Sequence, residues 1–253
     1  MSDIRGYSYS IASAEKTMRL IEILSQSNSS MSVSEIASIL DTHTSSADRY
    51  LLTLQDMGYV EKDSAGRFVL SDKMLYTNNS IIAKHPLTAR YLDIMHTLAY
   101  EFDTTTHIMS FFGCSTIVLH KDLQTHNMSF NNAFFDPTRY YYCSAPGKLM
   151  LSTLSEKELQ AYFRETKFIR FNKKTLSSEA AVREDLERIR RRGYSIHDEE
   201  WLSGNLTLSF PLRVNGEIKG AMSLMCDIDR KAEMLSQQTI ERIKNMLVEP
   251  QTK

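Results

Sequence analysis

Between residues 30 and 70 the chain has room for one local design: two short helices joined by a tight turn, then a hairpin. Ser32 stands before Val33-Ser34-Glu35-Ile36-Ala37, and a serine three residues ahead of a glutamate predicts a capping box that starts a helix. Val33, Ile36, Ala37 and Leu40 then face inward, and Leu40-Asp41-Thr42-His43 makes the turn. Thr44–Leu54 forms the second helix with Ala47, Tyr50, Leu51 and Leu54 on its buried side, and Gly58 sits where a left-handed helix-ending residue is wanted. Tyr59-Val60-Glu61-Lys62 and Arg67-Phe68-Val69-Leu70 read as strands around Asp63-Ser64-Ala65-Gly66. Upstream, a helix starting at Ser13 or Ala14 carries Met18, Ile21 and Leu24 with Leu20 beside them, and it ends in the turn-forming run Gln26–Ser30.

A short exposed helix braced by another is a way of entering a DNA major groove. On that reading the contacts come from His43, Thr44, Ser45, Ser46, Asp48 and Arg49 at the exposed helix start. Small hydroxyls and a helix N-terminus suit phosphate oxygens there. Lys62 and Arg67 of the hairpin would reach the backbone or minor groove. Charge pulls the other way. Residues 1–80 hold seven positive and ten negative side chains, a balance of −3, whereas phosphate neutralisation supplies much of DNA affinity. Three amphipathic helices and a hairpin also describe a small protein-interaction module.

With 253 residues, 42% apolar and 24% charged, the chain supports one large domain or two smaller ones. Its three cysteines (Cys114, Cys143, Cys226) are odd in number and far apart, so no disulfide framework is implied and a reducing, cytoplasmic setting is expected. The first residues lack a signal-peptide pattern, and no apolar run reaches the roughly 20 residues that span a bilayer, so no membrane partner is expected.

Ser71–Tyr76 begins a helical connector, which places a boundary near residues 75–85. Pro86 then suits a first helical turn, with Leu87, Tyr91, Ile94, Leu98 and Phe102 at helical spacing. Residues 104–112 and 116–120 predict paired strands around Gly113, and residues 127–134 a weaker strand. Ser144–Leu151 turns into a short helix, Ser155 with Glu158 caps another, and a long helix runs from about Ser178 to Arg192 with Val182, Leu186 and Ile189 inward and Gly193 at its end. Strands at 194–197, 205–213 and 217–225 follow, the last two joined by the hairpin signal Asn215-Gly216, and a helix near 235–247 closes the chain.

Catalytic and metal chemistry is not written into this pattern. His107, His120, His126 and His197 lack the paired spacing of structural zinc, so no metal site is expected. Asp198-Glu199-Glu200 reads as a solvated turn, because consecutive carboxylates point in different directions. Arg188, Arg190, Arg191 and Arg192 read as a solvated helix end. No phosphate loop or nucleophile elbow appears, so neither enzyme activity nor a cofactor is expected.

The stretch Leu40–Val60 resembles the DNA-binding domain of IclR-type bacterial transcriptional regulators: the Ser-x-Ser-Glu-Ile-Ala start, Arg49 before Tyr50-Leu51-Leu52, Thr53-Leu54 and Gly58-Tyr59-Val60 all fit, and Gly66–Leu70 is similar to that family's wing. Asp41 stands where the family's turn usually has glycine, and Thr44 where a lysine is common. Ser144–Lys148, Arg192–Glu200 and the hairpin ending Ala221-Met222-Ser223 resemble its GAF-like effector domain. The resemblance implies an α+β chain: a winged helix-turn-helix (residues 1–74), a helical linker (75–85) and an effector-binding domain with a mostly antiparallel sheet (86–253). It implies a regulator that binds a double-stranded DNA operator as a homodimer or a dimer of dimers and senses a small effector, a carboxylate in kind. By position the effector pocket would include Ala145, Pro146, Gly147, His197, Leu206, Thr207, Ser223 and Met225, the amides of the Ser144–Gly147 loop holding the carboxylate. His197 replaces a common acid and Met225 a common serine, with Phe134, Phe135 and Tyr140–Tyr142 placed nearby. The pocket then favours a larger, partly aromatic ligand over glyoxylate or pyruvate. The alternatives are a GAF-like carrier or enzyme whose N-terminal module only dimerises, and an adaptor that has lost DNA contact.

Overall fold

The computed structural model describes residues 11–123 and 140–248, which fall into two compact units, Met1–Ala83 and Lys84–Lys253. The expected strand at 127–134, with His126, Phe134 and Phe135, lies outside the described residues.

The first unit contains α1 (Ala12–Gln26), α2 (Val33–Ile39), α3 (Thr44–Asp56), an antiparallel hairpin of β1 (Val60–Lys62) and β2 (Phe68–Leu70), and α4 (Lys73–Ala83). The capping box at Ser32 forms as expected: its hydroxyl accepts from Glu35 N–H, and the Glu35 carboxylate accepts from Ser32 N–H at 2.7 Å. Both helices of the helix-turn-helix end in the same motif. After α3, Gly58 N–H bonds Gln55 O and Tyr59 N–H bonds Leu54 O. After α2, Asp41 N–H bonds Ser38 O and Thr42 N–H bonds Ala37 O. This motif needs one left-handed residue. Gly58 takes it at φ 78°, and Asp41 takes it at φ 49° in place of the usual glycine.

The core of this unit joins Leu20, Leu24, Ile36, Leu51, Leu54 and Phe68. Met18 is not part of it and is 60% exposed. The inward stripe of α1 is the i,i+4 pair Leu20/Leu24, which leaves Met18 on the flank.

The second unit is a five-stranded antiparallel sheet in the order β4-β3-β7-β6-β5: β3 (Thr105–Phe112), β4 (Ser115–Asp122), β5 (Ser195–Asp198), β6 (Asn205–Val214) and β7 (Glu217–Asp227). Asn215 and Gly216, both at positive φ (53° and 80°), close the β6–β7 hairpin. One sheet face is covered by α5 (Pro86–Phe102) and α10 (Gln237–Met246): Tyr91 donates its hydroxyl to Arg213 O at 2.9 Å, and Lys244 lies over Tyr194, which stacks on Phe210. Met95, rather than Ile94, completes the buried stripe Leu87-Tyr91-Leu98, because steps of four keep to one helix face. A short helix α9 (Lys231–Met234), absent from the sequence reading, precedes α10.

The other face is covered by α6 (Ala145–Thr153), with α7 (Glu156–Glu165) and α8 (Glu179–Arg192) stacked around it. Tyr141, Tyr142, Leu149, Leu159, Phe163, Val182, Leu186 and Ala221 form that core. Gly147 brings the first turn of α6 against the chain just before it. A Cβ there would stand 2.5 Å from both Cα and O of Tyr141.

Two substitutions test these backbone constraints. Asp41→Gly should raise stability by about 0.5–1 kcal/mol, because it relieves a left-handed non-glycine residue. Gly147→Ala should lose about 2 kcal/mol or more, since backbone must move to admit the methyl group. Urea unfolding of each variant reads both.

Candidate functional site

The expected DNA-contacting residues cluster at the start of α3. His43 is the N-cap residue and makes no side-chain cap bond; Thr44 and Ser45 are exposed, and Ser46 and Asp48 half-buried. Arg49 is exposed, and among the described residues no acceptor takes its guanidinium. It borders a groove of about 430 Å³ between α1 and α3, lined also by Ser13, Thr17, Ser46 and Thr53. On the wing, Lys62 projects over the Phe68 ring, 4.8 Å from its centroid.

Arg67 departs from expectation. Its Nε and Nη2 donate to Ser30 O at 3.0 and 2.7 Å, and Nη2 pairs with Glu35 at 2.8 Å. The side chain ties the wing to the capping box of α2 rather than standing free for phosphate. Glu35, held by the Ser32 amide and hydroxyl and then by Arg67, is drawn down to about 2.

In the second unit, strand alternation sorts the expected pocket residues. One rung across the sheet runs His197–Thr207–Met225–Thr105 and the next runs Ser195–Ser209–Ser223–His107, all on the face toward α6. Ser195 Oγ fixes this orientation by donating to Ala145 O at 2.5 Å. Leu206 is one residue out of step. It lies on the opposite face, fully buried under the α5/α10 layer, and cannot line a pocket shared with Thr207.

Ala145, Pro146 and Gly147 are also buried. Pro146 has no N–H, Gly147 N–H bonds Ser144 Oγ, and Lys148 N–H bonds Ser144 O. The amides expected to hold a carboxylate are therefore largely committed to the cap. Tyr141 and Tyr142 are core, the Tyr142 hydroxyl being engaged at Ile169.

A buried ionic cluster takes the place of the expected amide cradle. Lys148, only 1% exposed, pairs with Asp185 of α8 at 3.0 Å and with Glu200. The solvated-turn reading of residues 198–200 is corrected here. Glu200 is buried beneath Lys148, and Asp198 and Glu199 are bound by Lys174, with Lys231 also on Asp198. Arg192 is likewise no solvated helix end: it is partly buried beside Asp185 and Tyr194. Burial outweighs the attraction of Lys148 and lifts Glu200 to about 7, whereas Lys148 and its arginine neighbours hold Asp185 below its ordinary value despite burial.

His197 is 1% exposed and depressed to about 3, by burial first and by the Lys148 charge second. Its Nε2 accepts from Trp201 N–H at 3.3 Å, which leaves the proton of the neutral ring on Nδ1. Among the described residues, neither His197 Nδ1 nor Glu200 Oε2 has a hydrogen-bond partner. Ser209 and Ser223 share a hydrogen bond of 2.7 Å, and Thr207 donates to Asn205 at 2.9 Å. Sequence reading missed Lys148, Asp185, Glu200 and Ser209. The one available signal was a lysine inside the otherwise apolar run after Gly147. Among the described residues, no three His, Cys, Asp or Glu side chains stand close enough to hold a metal, and no helix is long and apolar enough to cross a membrane.

A helix-turn-helix with a wing, followed by a ligand-domain sheet of this layout, defines a class of regulator. The chain matches the family model described as bacterial transcriptional regulator IclR C-terminal over residues 79–249, and the IclR helix-turn-helix domain over residues 13–64. It belongs to the IclR family of transcriptional regulators. Among its relatives, the probable HTH-type transcriptional regulator ArcR of Halobacterium salinarum is 25% identical over 217 residues, covering 85% of this chain and 82% of that protein. The transcriptional repressor IclR of Escherichia coli is 25% identical over 197 residues, covering 77% and 72%. An IclR homolog of Microbacterium hydrocarbonoxydans, solved in complex with 4-hydroxybenzoate, shares the fold with a TM-score of 0.69 at 16% identity, covering 93% of this chain and 95% of that one.

The ionic cluster makes stability depend on pH. Because Glu200 titrates higher in the folded chain than when unfolded, its contribution is fully present at low pH and is lost as pH rises toward and through about 7. His197 acts oppositely: its contribution is full above about 6.5 and is lost as pH falls toward 3. Denaturant titrations across this range should show Glu200→Gln removing the alkaline-side loss. Lys148→Met, which strands two buried carboxylates, should cost about 3–5 kcal/mol at neutral pH.

Proposed function

We propose that this regulator reads a double-stranded operator through the start of α3 and the wing, and that a small carboxylate bound on the α6 side of the sheet alters that reading. Residues 1–74 form the reading head, 75–85 the linker and 86–253 the sensor. The chain works in the cytoplasm as a regulator rather than an enzyme.

One observation carries the sensor assignment. The sheet face toward α6 is lined by serine, threonine and histidine where a core would bury apolar groups, and two buried polar atoms, His197 Nδ1 on that face and Glu200 Oε2 in the turn after β5, are unsatisfied. The hydrogen-bonded Ser209–Ser223 pair has one hydroxyl proton left to donate to a carboxylate, and Met225, half-buried beside Thr207, supplies an apolar wall. The complex of the Microbacterium homolog with 4-hydroxybenzoate supports an aromatic acid as a reasonable size of ligand.

A second copy of the chain is supported by α4. None of its residues is buried in this chain, and Leu75, Tyr76 and Ile81 are 60% exposed or more. Pairing also offsets the acidic balance of each reading head, because two weak heads on one operator bind as a linked unit.

Gel shifts with the DNA upstream of the chain's own gene test the proposal. A specific, salt-sensitive shift that a small acid strengthens or weakens is expected, and its absence with and without ligand would overturn the regulator reading. Arg49→Gln should reduce the salt dependence of binding by about one counterion, because a phosphate contact is lost. Arg67→Gln should leave that slope unchanged and instead lower the melting temperature of the protein, since Arg67 braces the wing from within.

A further inference from the structure

His197 and Glu200 together carry a more specific statement about the ligand, one that rests on reading the α6 side of the sheet as the effector site. Both groups lie in the field of the same buried cation. Glu200 Oε1 is hydrogen-bonded to Lys148 Nζ, and the Lys148 charge depresses the basicity of His197. The remaining atoms have opposite hydrogen-bonding character. With Nε2 occupied by the Trp201 amide, His197 presents an N–H at Nδ1. With Oε1 occupied by Lys148, Glu200 presents a bare carboxylate oxygen at Oε2. Each is buried and unsatisfied among the described residues, an arrangement that costs free energy until a partner completes it.

We propose that the effector carries a hydroxyl group that accepts a hydrogen bond from His197 Nδ1–H and donates one to Glu200 Oε2. A hydroxyl is the small ligand group that does both from one atom. A keto oxygen satisfies only the histidine, a second carboxylate meets the negative Glu200, and a methyl group satisfies neither. The other groups facing Glu200 do not compete for this role. Lys148 and Asp185 are engaged with each other, Arg192 donates its Nε to Tyr194 O and stands 4.0 Å from Asp185, and burial keeps the Cys143 thiol protonated, its titration pushed up to about 12. The ligand is thereby a hydroxy acid: its carboxylate is held by the Ser209–Ser223 pair and its hydroxyl is read by His197 and Glu200.

The test is calorimetric titration of the full chain at about pH 8, where a carboxylate with the titration of Glu200 is ionised. Three matched sets serve as probes: glycolate, glyoxylate and acetate; lactate, pyruvate and propionate; 4-hydroxybenzoate and benzoate. In whichever set binds, the hydroxylated member should bind about tenfold or more tighter than its deoxy or keto partner. His197→Leu should bring the affinity ratio of hydroxylated to deoxy acid near one, and His197→Gln, which keeps an N–H donor, should restore most of it. Because a ratio within one variant is read, general loss of binding does not mimic the result. Equal binding of hydroxylated and deoxy acids by the wild-type chain would mean that water completes the pair, and would overturn this inference while leaving acid sensing intact. Binding by none of the eight acids would overturn the sensor reading on which it rests.

Discussion

Lys148 holds the second unit together at the point where its helices meet its sheet. A single ammonium, sealed from solvent, joins α6 through its own backbone, α8 through Asp185, and the turn after β5 through Glu200. Burying three ionised groups costs several kcal/mol each, and the gain from pairing them does not reliably exceed that cost. What the cluster supplies is position. It sets the end of β5, and with it His197, against the start of α6, so the polar sheet face and the helix that covers it are in register. Glu200 sits above its ordinary titration range because desolvation outweighs the attraction of one lysine already shared with Asp185.

The reading head solves a different problem with smaller forces. Its helix-turn-helix depends on two helix ends of the same geometry, one closed by glycine and one by aspartate in a conformation that aspartate tolerates. The wing is fastened to α2 by Arg67, which spends a cation on internal bracing in a domain that is already acidic. That choice leaves Arg49 and Lys62 as the cations near the recognition surface among the residues expected to touch DNA, and it gives pairing of heads an energetic reason.

Local signals and long-range ones had different fates in the sequence. Ser32 with Glu35, Ser155 with Glu158 and Asn215-Gly216 each act over a few residues, and each formed as read. Strand alternation was legible too, yet its phase was not. Thr207 lies on the face toward α6, and its neighbour Leu206, expected beside it, lies on the other because adjacent strand residues point to opposite sides. In α1 the three-residue spacing of Met18, Ile21 and Leu24 drew attention from the Leu20/Leu24 pair that is buried. Asp198-Glu199-Glu200 looked like solvent-facing acid because the partner that buries Glu200 lies 52 residues earlier in the chain.

The sequence by itself determined the helix starts, the hairpin turns, the winged helix-turn-helix and the membership of the whole chain in an α+β regulator family. The helix starts and turns follow from backbone groups that must be satisfied within a few residues and from apolar spacing along one element, whereas the family is carried by the resemblance of motifs along the chain. The tertiary structure alone decided that Lys148 is buried between Asp185 and Glu200, that Arg67 faces inward, and that His197 and Glu200 each keep an unsatisfied atom on the α6 side of the sheet. Those outcomes depend on which distant side chains meet once the layers close, because burial and the geometry of the partners, rather than residue type, set the charge and hydrogen-bonding role of each group.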